Sequence, residues 1–197
     1  WLIRHHGRRY LGWVDPCFNA DPEVPGQLAE SLLRVGLRVS QSAWMRTDGL
    51  VRDAASGALE SCVRAGLNEV YLGIERADPE SLSSFHKTSS VHHAREAMRI
   101  LTTQFPQVLA IGSFIYGLPG DTPATIRAIH RLAVELQLDQ FFCIPLTPLP
   151  GQAPPPSAAA PPSFSAPAPP PAPRPAPPPA PPAPAPAATA RPTTAPT

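Results

Sequence analysis

Five short stretches carry the side chains able to do chemistry, and each stands where an apolar run gives out. They read Val14-Asp15-Pro16-Cys17-Phe18-Asn19, Trp44-Met45-Arg46-Thr47-Asp48 and Leu72-Gly73-Ile74-Glu75-Arg76, then Phe114-Ile115-Tyr116-Gly117-Leu118-Pro119-Gly120-Asp121-Thr122 and Ile144-Pro145-Leu146-Thr147-Pro148-Leu149-Pro150-Gly151. A carboxylate such as Glu75 only accepts hydrogen bonds, so it suits the two hydroxyls of a diol. A guanidinium such as Arg46 forks onto a carboxylate, and glycine lets a backbone come close to a ligand. Packing alone would not ask for an Asp, an Arg and a Glu at matching places.

Each of these groups also has a plainer reading. Glu75 could pair with Arg76 as a surface ion pair of little energetic weight, and Lys87 lies in a polar loop with His86, Thr88 and Ser89. The run from Gly117 to Thr122 could be only a turn and a helix cap. It could also cradle a phosphate on glycine N–H groups at a helix start, although the Gly-Lys-Ser/Thr ending of a P-loop is missing. His5-His6 and His92-His93 are adjacent pairs that diverge on a helix or strand, while His86 and His130 stand alone. No metal-ligand spacing results, and solvated or capping roles fit these histidines. Cys17, Cys62 and Cys143 are far apart and odd in number, which argues against a disulfide framework and for a reduced, cytoplasmic setting. Cys62 and Cys143 fit buried helix and strand positions.

The elements that must hold these groups are legible from periodicity. Residues 10–17, 38–46, 69–75, 108–118 and 140–146 are short, apolar and rich in Val, Ile, Leu and aromatics, as buried parallel strands are. Between them run helical stripes: Val24, Leu28, Leu32, Val35; Ala94, Ala97, Met98, Leu101; and Ile126, Ile129, Ala133, Leu136. Asp21-Pro22, Asp78-Pro79 and Thr122-Pro123 each place a capping oxygen before a proline at the first helical position. Gly36 and Gly66 suit the left-handed residue that ends a helix before a strand. The repeated order predicts right-handed crossovers and an α/β fold with about five βα units, a partial parallel barrel or an open sheet. In such barrels the carboxyl ends of the strands form the functional face, and all five chemical stretches fall there.

Composition bounds the rest. Residues 1–151 mix apolar, charged and glycine positions as a globular domain does. Residues 152–197 are almost entirely Pro and Ala, with Arg174 and Arg191 as their only charges. That tail is expected to be disordered, because it cannot offset the entropy of ordering its backbone. It could be a polyproline ligand or a stalk, or a tract replacing the true continuation. The net charge of +1 gives no electrostatic case for nucleic acid, and no apolar run reaches the ~20 residues of a membrane span.

Taken in order, Gly73-Ile74-Glu75, Lys87, the run 114–122 and the run 145–151 resemble the radical S-adenosylmethionine superfamily, in particular the branch that also carries a cobalamin-binding domain. The stretches 13–22, 51–54 and 68–76 resemble, within that branch, the oxygen-independent cyclases of magnesium-protoporphyrin IX monomethyl ester. The resemblance covers nearly all of 1–151. It implies a radical SAM-type partial barrel without its first strand and cluster loop.

Residue by residue, it implies that Glu75 binds the ribose hydroxyls of S-adenosylmethionine, with Lys87 or Arg46 on the methionine carboxylate. Ser113, Ile115 and Gly117 would flank ribose and adenine, and Pro145 and Thr147 would wall the adenine. Asp15 and Asn19 stand where the superfamily contacts the methionine amine, but the usual Gly-Gly-Glu is absent. The spacing Cys-x3-Cys-x2-Cys is absent too, so the ligands of the 4Fe-4S cluster and the cobalamin domain are expected upstream. The chain alone is expected to bind no cluster, and no catalytic residue is assigned. The implied activity is radical closure of the isocyclic ring in bacteriochlorophyll synthesis, on a magnesium porphyrin, with a ferredoxin or flavodoxin as electron donor. The rivals are a cobalamin-type methyltransferase and an inactive binding module with a proline-rich interaction tail.

Overall fold

A computed structural model describes residues 1–78, 90–118 and 120–147. Five strands, β1 (Tyr10–Gly12), β2 (Ser40–Arg46), β3 (Leu67–Glu75), β4 (Leu109–Tyr116) and β5 (Gln140–Pro145), form one sheet in the order β1-β2-β3-β4-β5. Every pairing is parallel. Each strand lies beside its predecessor, so the sheet has no point at which the order reverses. Crossovers of one hand then all pack on one face.

The helices are α1 (Leu2–His6), α2 (Val24–Arg34), α3 (Thr47–Ser56), α4 (Ala58–Ala65), α5 (Val91–Gln104) and α6 (Pro123–Glu135). The core joins Ala43, Met45, Val70, Leu72, Ile74, Ala110 and Phe114 from the strands to Leu50, Leu59, Ala97, Leu101 and Ile129 from the helices. Strand side chains alternate between faces, so Trp44, Tyr71, Gly73, Ser113, Ile115 and Phe142 belong to the other face. That face is concave. Trp44 of β2 and Phe142 of β5 have ring centroids 5.9 Å apart although two strands lie between them. In a flat sheet three strand spacings of about 4.8 Å would hold these strands about 14 Å apart. The five-stranded sheet is therefore curled into a half-barrel, and the choice left open between barrel and open sheet resolves to the barrel.

Several elements follow their sequence signals. Thr122 Oγ1 accepts from the backbone N–H of Ala124 (3.2 Å) and Thr125 (3.4 Å) with Pro123 as the first helical residue. Gly36 (φ 69°) and Gly66 (φ 113°) take the left-handed conformation expected of them. His93 does cap: it forms a reciprocal box with Ser90 at the start of α5.

Others depart from them. Asp21 Oδ1 accepts from the Glu23 N–H (2.9 Å), closing a turn ahead of α2, whose first turn is taken by Pro25 rather than Pro22. Strand β1 stops at Gly12, because the exposed Val14 and the N–H-less Pro16 lead the chain off the sheet. It returns where the Phe18 N–H donates to the Trp44 carbonyl (2.8 Å). The β2–β3 connection holds two helices split by Gly57 (φ 81°), which breaks the period the sequence would otherwise display. Cys143 is exposed rather than buried, since β5 is the edge strand; Cys62 is buried as expected. Pro79, half of the second expected cap, lies outside the described residues, as does the Pro/Ala tail.

Candidate functional site

Strand register sets a row of residues across the concave face near the carboxyl ends. Arg46 pairs with Gly73, Gly73 with Ser113, and Ser113 with Phe142. One row below lie Trp44 and Tyr71, stacked at 4.8 Å, with Phe142 edge-on to Trp44. An aromatic floor therefore underlies a polar row.

Glu75 enters that row by an irregularity. The β3–β4 register shifts between Gly73 and Glu75, and Glu75 holds φ 70°, in the left-handed region. Its carboxylate turns back over Gly73: a Cβ placed on Gly73 would lie 3.0 Å from Glu75 Oε1. The missing side chain of Gly73 is thus the space in which the Glu75 carboxylate sits, between the strands of Arg46 and Ser113.

Behind the row, Arg76 is 1% exposed. Its guanidinium forks onto Asp121 (Nη2–Oδ1 2.6 Å, Nη1–Oδ2 3.1 Å), and Nη1 also donates to the Ile115 carbonyl (3.1 Å). Nε donates to Asp78 (3.2 Å). Asp121 Oδ2 further accepts the backbone N–H groups of Gly117 (2.7 Å) and Leu118 (3.0 Å). Burial disfavours the Asp121 anion, but the Arg76 hydrogen bond and the two amides outweigh it and hold the carboxyl below its ordinary range. Sequence reasoning took Asp121 as part of a turn and Arg76 as a partner for Glu75. The only available signal for the pair was an acid directly after Pro-Gly facing a cation directly after a strand.

On β2, Arg46 forks onto Asp48 (2.9 and 2.6 Å), a pairing that orients its exposed guanidinium. Asn19 is buried, and both of its amide atoms bind the Arg46 backbone: Oδ1 accepts from its N–H (2.9 Å) and Nδ2 donates to its carbonyl (3.1 Å). Asn19 is therefore an internal clamp, which corrects its expected place on the methionine amine. Gly49 is required beside it, since a Cβ there would strike the Asn19 amide. Arg52 binds the Asn19 carbonyl (2.8 Å) and Asp53 Oδ1 (2.7 Å), while Asp53 is fully buried and its Oδ2 lacks a hydrogen-bond partner among the described residues.

The remaining expected residues scatter more widely. Asp15 is exposed on the segment after β1. Ile115 lies on the concave face, half-buried, and Gly117 (φ 88°) opens the turn after β4. Pro145 pairs with Tyr116, and alternation from Phe142 turns its ring to the helix face, leaving Ile144 as the inward residue of that strand. Thr147 is exposed and donates to the Pro145 carbonyl (3.2 Å). Lys87 lies outside the described residues.

An acceptor carboxylate, a positive-φ glycine at the end of β4 and an aromatic floor lie on or beside one concave face, groups able to receive hydroxyls and a planar ring. The same residues offer nothing for an iron-sulfur cluster. Cys62 donates its thiol to the Pro25 carbonyl (3.3 Å), and burial pushes its pKa up to about 12. Among the described residues no three His, Cys, Asp or Glu side chains converge as a metal site.

This fold is that of the radical S-adenosylmethionine half-barrel. The methyltransferase TsrM from Kitasatospora setae, solved with cobalamin and a [4Fe-4S] cluster, matches 73% of this chain and 27% of its own with a TM-score of 0.60 at 17% identity. The radical SAM coproporphyrinogen III oxidase of Escherichia coli matches 72% of this chain and 32% of its own, with a TM-score of 0.58 at 18% identity. By sequence, an uncharacterised methyltransferase of Pyrococcus horikoshii is 26% identical over 150 residues, 76% of this chain and 31% of its own. The anaerobic magnesium-protoporphyrin IX monomethyl ester cyclase of Cereibacter sphaeroides is 28% identical over 142 residues, 70% of this chain and 22% of its own. No protein-family model matches. The chain spans about a third or less of the length of these curated relatives.

Proposed function

We propose that the concave face is the nucleoside site of a cobalamin-type radical S-adenosylmethionine enzyme. The observation that carries this reading is Glu75, whose carboxylate lies over Gly73 in the row between Arg46 and Ser113. In that position Glu75 accepts both ribose hydroxyls. Arg46, braced by Asp48, takes the methionine carboxylate, with Lys87 as the second cation for it and Asp15 near the amine. Ser113 and Ile115 flank the ribose and adenine, Gly117 admits the ring edge, and the strand-end segment of Pro145 and Thr147 closes one side. S-adenosylmethionine held there would supply radical chemistry on reductive cleavage by an electron donor outside these residues. The chain's own residues bind and orient it; among the described residues none converge as ligands for a cluster.

For the complete protein we favour the cyclase reading, with a magnesium porphyrin as substrate and a ferredoxin or flavodoxin as electron donor. It is supported by the Cereibacter relative and by the stretches 13–22, 51–54 and 68–76. A methyltransferase is the second reading, supported by the Pyrococcus relative and by the fit to TsrM. Methyl transfer yields S-adenosylhomocysteine and cyclisation does not, so product analysis of the complete enzyme separates the two.

The site itself is tested by titrating this chain with S-adenosylhomocysteine in a calorimeter. Binding is expected, and Glu75→Gln should weaken it about tenfold, the loss of a charge-assisted hydrogen bond worth about 1.4 kcal/mol. Equal affinity in the variant would end the assignment.

A further inference from the structure

The Arg76–Asp121 pair does more than a surface ion pair can. The guanidinium is almost wholly buried and directly follows Glu75. It reaches the Ile115 carbonyl at the end of β4 and both oxygens of Asp121 beyond it. One of those oxygens, Oδ2, also gathers the N–H groups of Gly117 and Leu118. Through a single planar fork the end of β3, the end of β4 and the glycine turn are tied together, on the side of the sheet behind the concave row. Gly117 (φ 88°) and Gly120 (φ 90°) have conformational freedom that the turn would otherwise keep. A lysine in place of Arg76 keeps the charge but cannot make two parallel hydrogen bonds to one carboxylate.

We propose that Arg76 and Asp121 are positioning residues for nucleoside binding: they fix the Gly117–Leu118 backbone in the shape that receives the adenosyl group beside Glu75. The inference rests on the nucleoside reading of the site and deepens it. Neither residue touches the ligand; both act through the turn.

Arg76→Lys and Asp121→Asn test it, with adenosine and S-adenosylhomocysteine as probes on the full 197-residue chain. Both ligands should weaken tenfold or more in each variant at a temperature well below unfolding. Amide exchange at Gly117 and Leu118 should accelerate in the ligand-free variants. Arg99→Gln, which removes the exposed pair with Glu96, should change neither readout. A lowered melting temperature with unaltered affinity would reduce the pair to a structural role and overturn the inference alone. Failure of the unmodified chain to bind either probe would overturn the nucleoside reading and the inference with it. Should both variants fail to fold, exchange in the unmodified protein decides. Slowing at Gly117 and Leu118 on adding adenosine supports the inference, and unchanged rates refute it.

Discussion

Asp53 sits inside the molecule with one carboxylate oxygen paired to Arg52 and the other without a hydrogen bond among the described residues. Burial raises its pKa, and the Arg52 hydrogen bond only partly opposes that. The folded state thus holds the proton more tightly than the unfolded chain. The stability Asp53 contributes is complete below the ordinary carboxylate value of about 4 and is lost as pH rises through the higher folded value. Asp53→Asn should therefore gain on the unmodified protein between pH 4 and pH 7 in urea titrations, and a pH-independent difference would contradict this. The cysteines give a second expectation at this scale. In the folded protein a thiol reagent should label exposed Cys143 and leave Cys62 untouched until denaturant is added, because the Cys62 thiol is buried and protonated. At this scale the sequence was legible wherever a motif marked a residue, as for Glu75 and Gly117. It was silent on burial: nothing in the letters separates Arg76, enclosed and forked, from Arg46, exposed on the neighbouring strand end.

Among the elements, the α4–β3 junction is the most tightly built. Gly66 holds φ 113°, and any Cβ on it would collide with the Val39 carbonyl. Gly57, between α3 and α4, also has a positive φ (81°) but open space around it. The two glycines should respond differently to alanine: Gly57→Ala costs about 1 kcal/mol for conformation alone. Gly66→Ala costs about 3 kcal/mol or more, because displacement of the Val39 carbonyl just ahead of β2 adds to the strain. Chemical denaturation ranks them, and equal losses would show the Val39 contact to be unimportant. These junctions also explain which elements could be read beforehand. Thr122-Pro123 announces α6 because cap and proline act locally. Helices α3 and α4 went unannounced because Gly57 interrupts their period and Asp53 occupies an inward position where an apolar residue would signal a stripe.

Over the whole molecule, the alternation of strands and helices was enough to foresee a parallel sheet. Its curvature was not, because curvature depends on the strands' bulges and on inward side chains such as Trp44 and Phe142 meeting across the sheet. Register and alternation put Arg46, Glu75, Ser113 and Phe142 on one face of four strands, and curvature draws that face together. Pro145 shows the limit of reading position without parity, since a single step along β5 exchanges the two faces. The thiols give the prediction that belongs at this scale. Anaerobic reconstitution of the chain with iron and sulfide should yield no stoichiometric cluster absorbance, consistent with an unreactive Cys62 and three free cysteines. A full complement of cluster would mean that the chain supplies thiolates in a way this arrangement does not offer.

The left-handed backbone of Glu75 carries a conformational cost. An L residue held there sacrifices about 1 kcal/mol of folding free energy that glycine would recover. Glu75→Gly should remove that backbone cost together with the carboxylate's own contacts, and should lose its grip on a ribose, read as weakened S-adenosylhomocysteine binding. The backbone cost at this position therefore falls on the side chain proposed to grip the ribose.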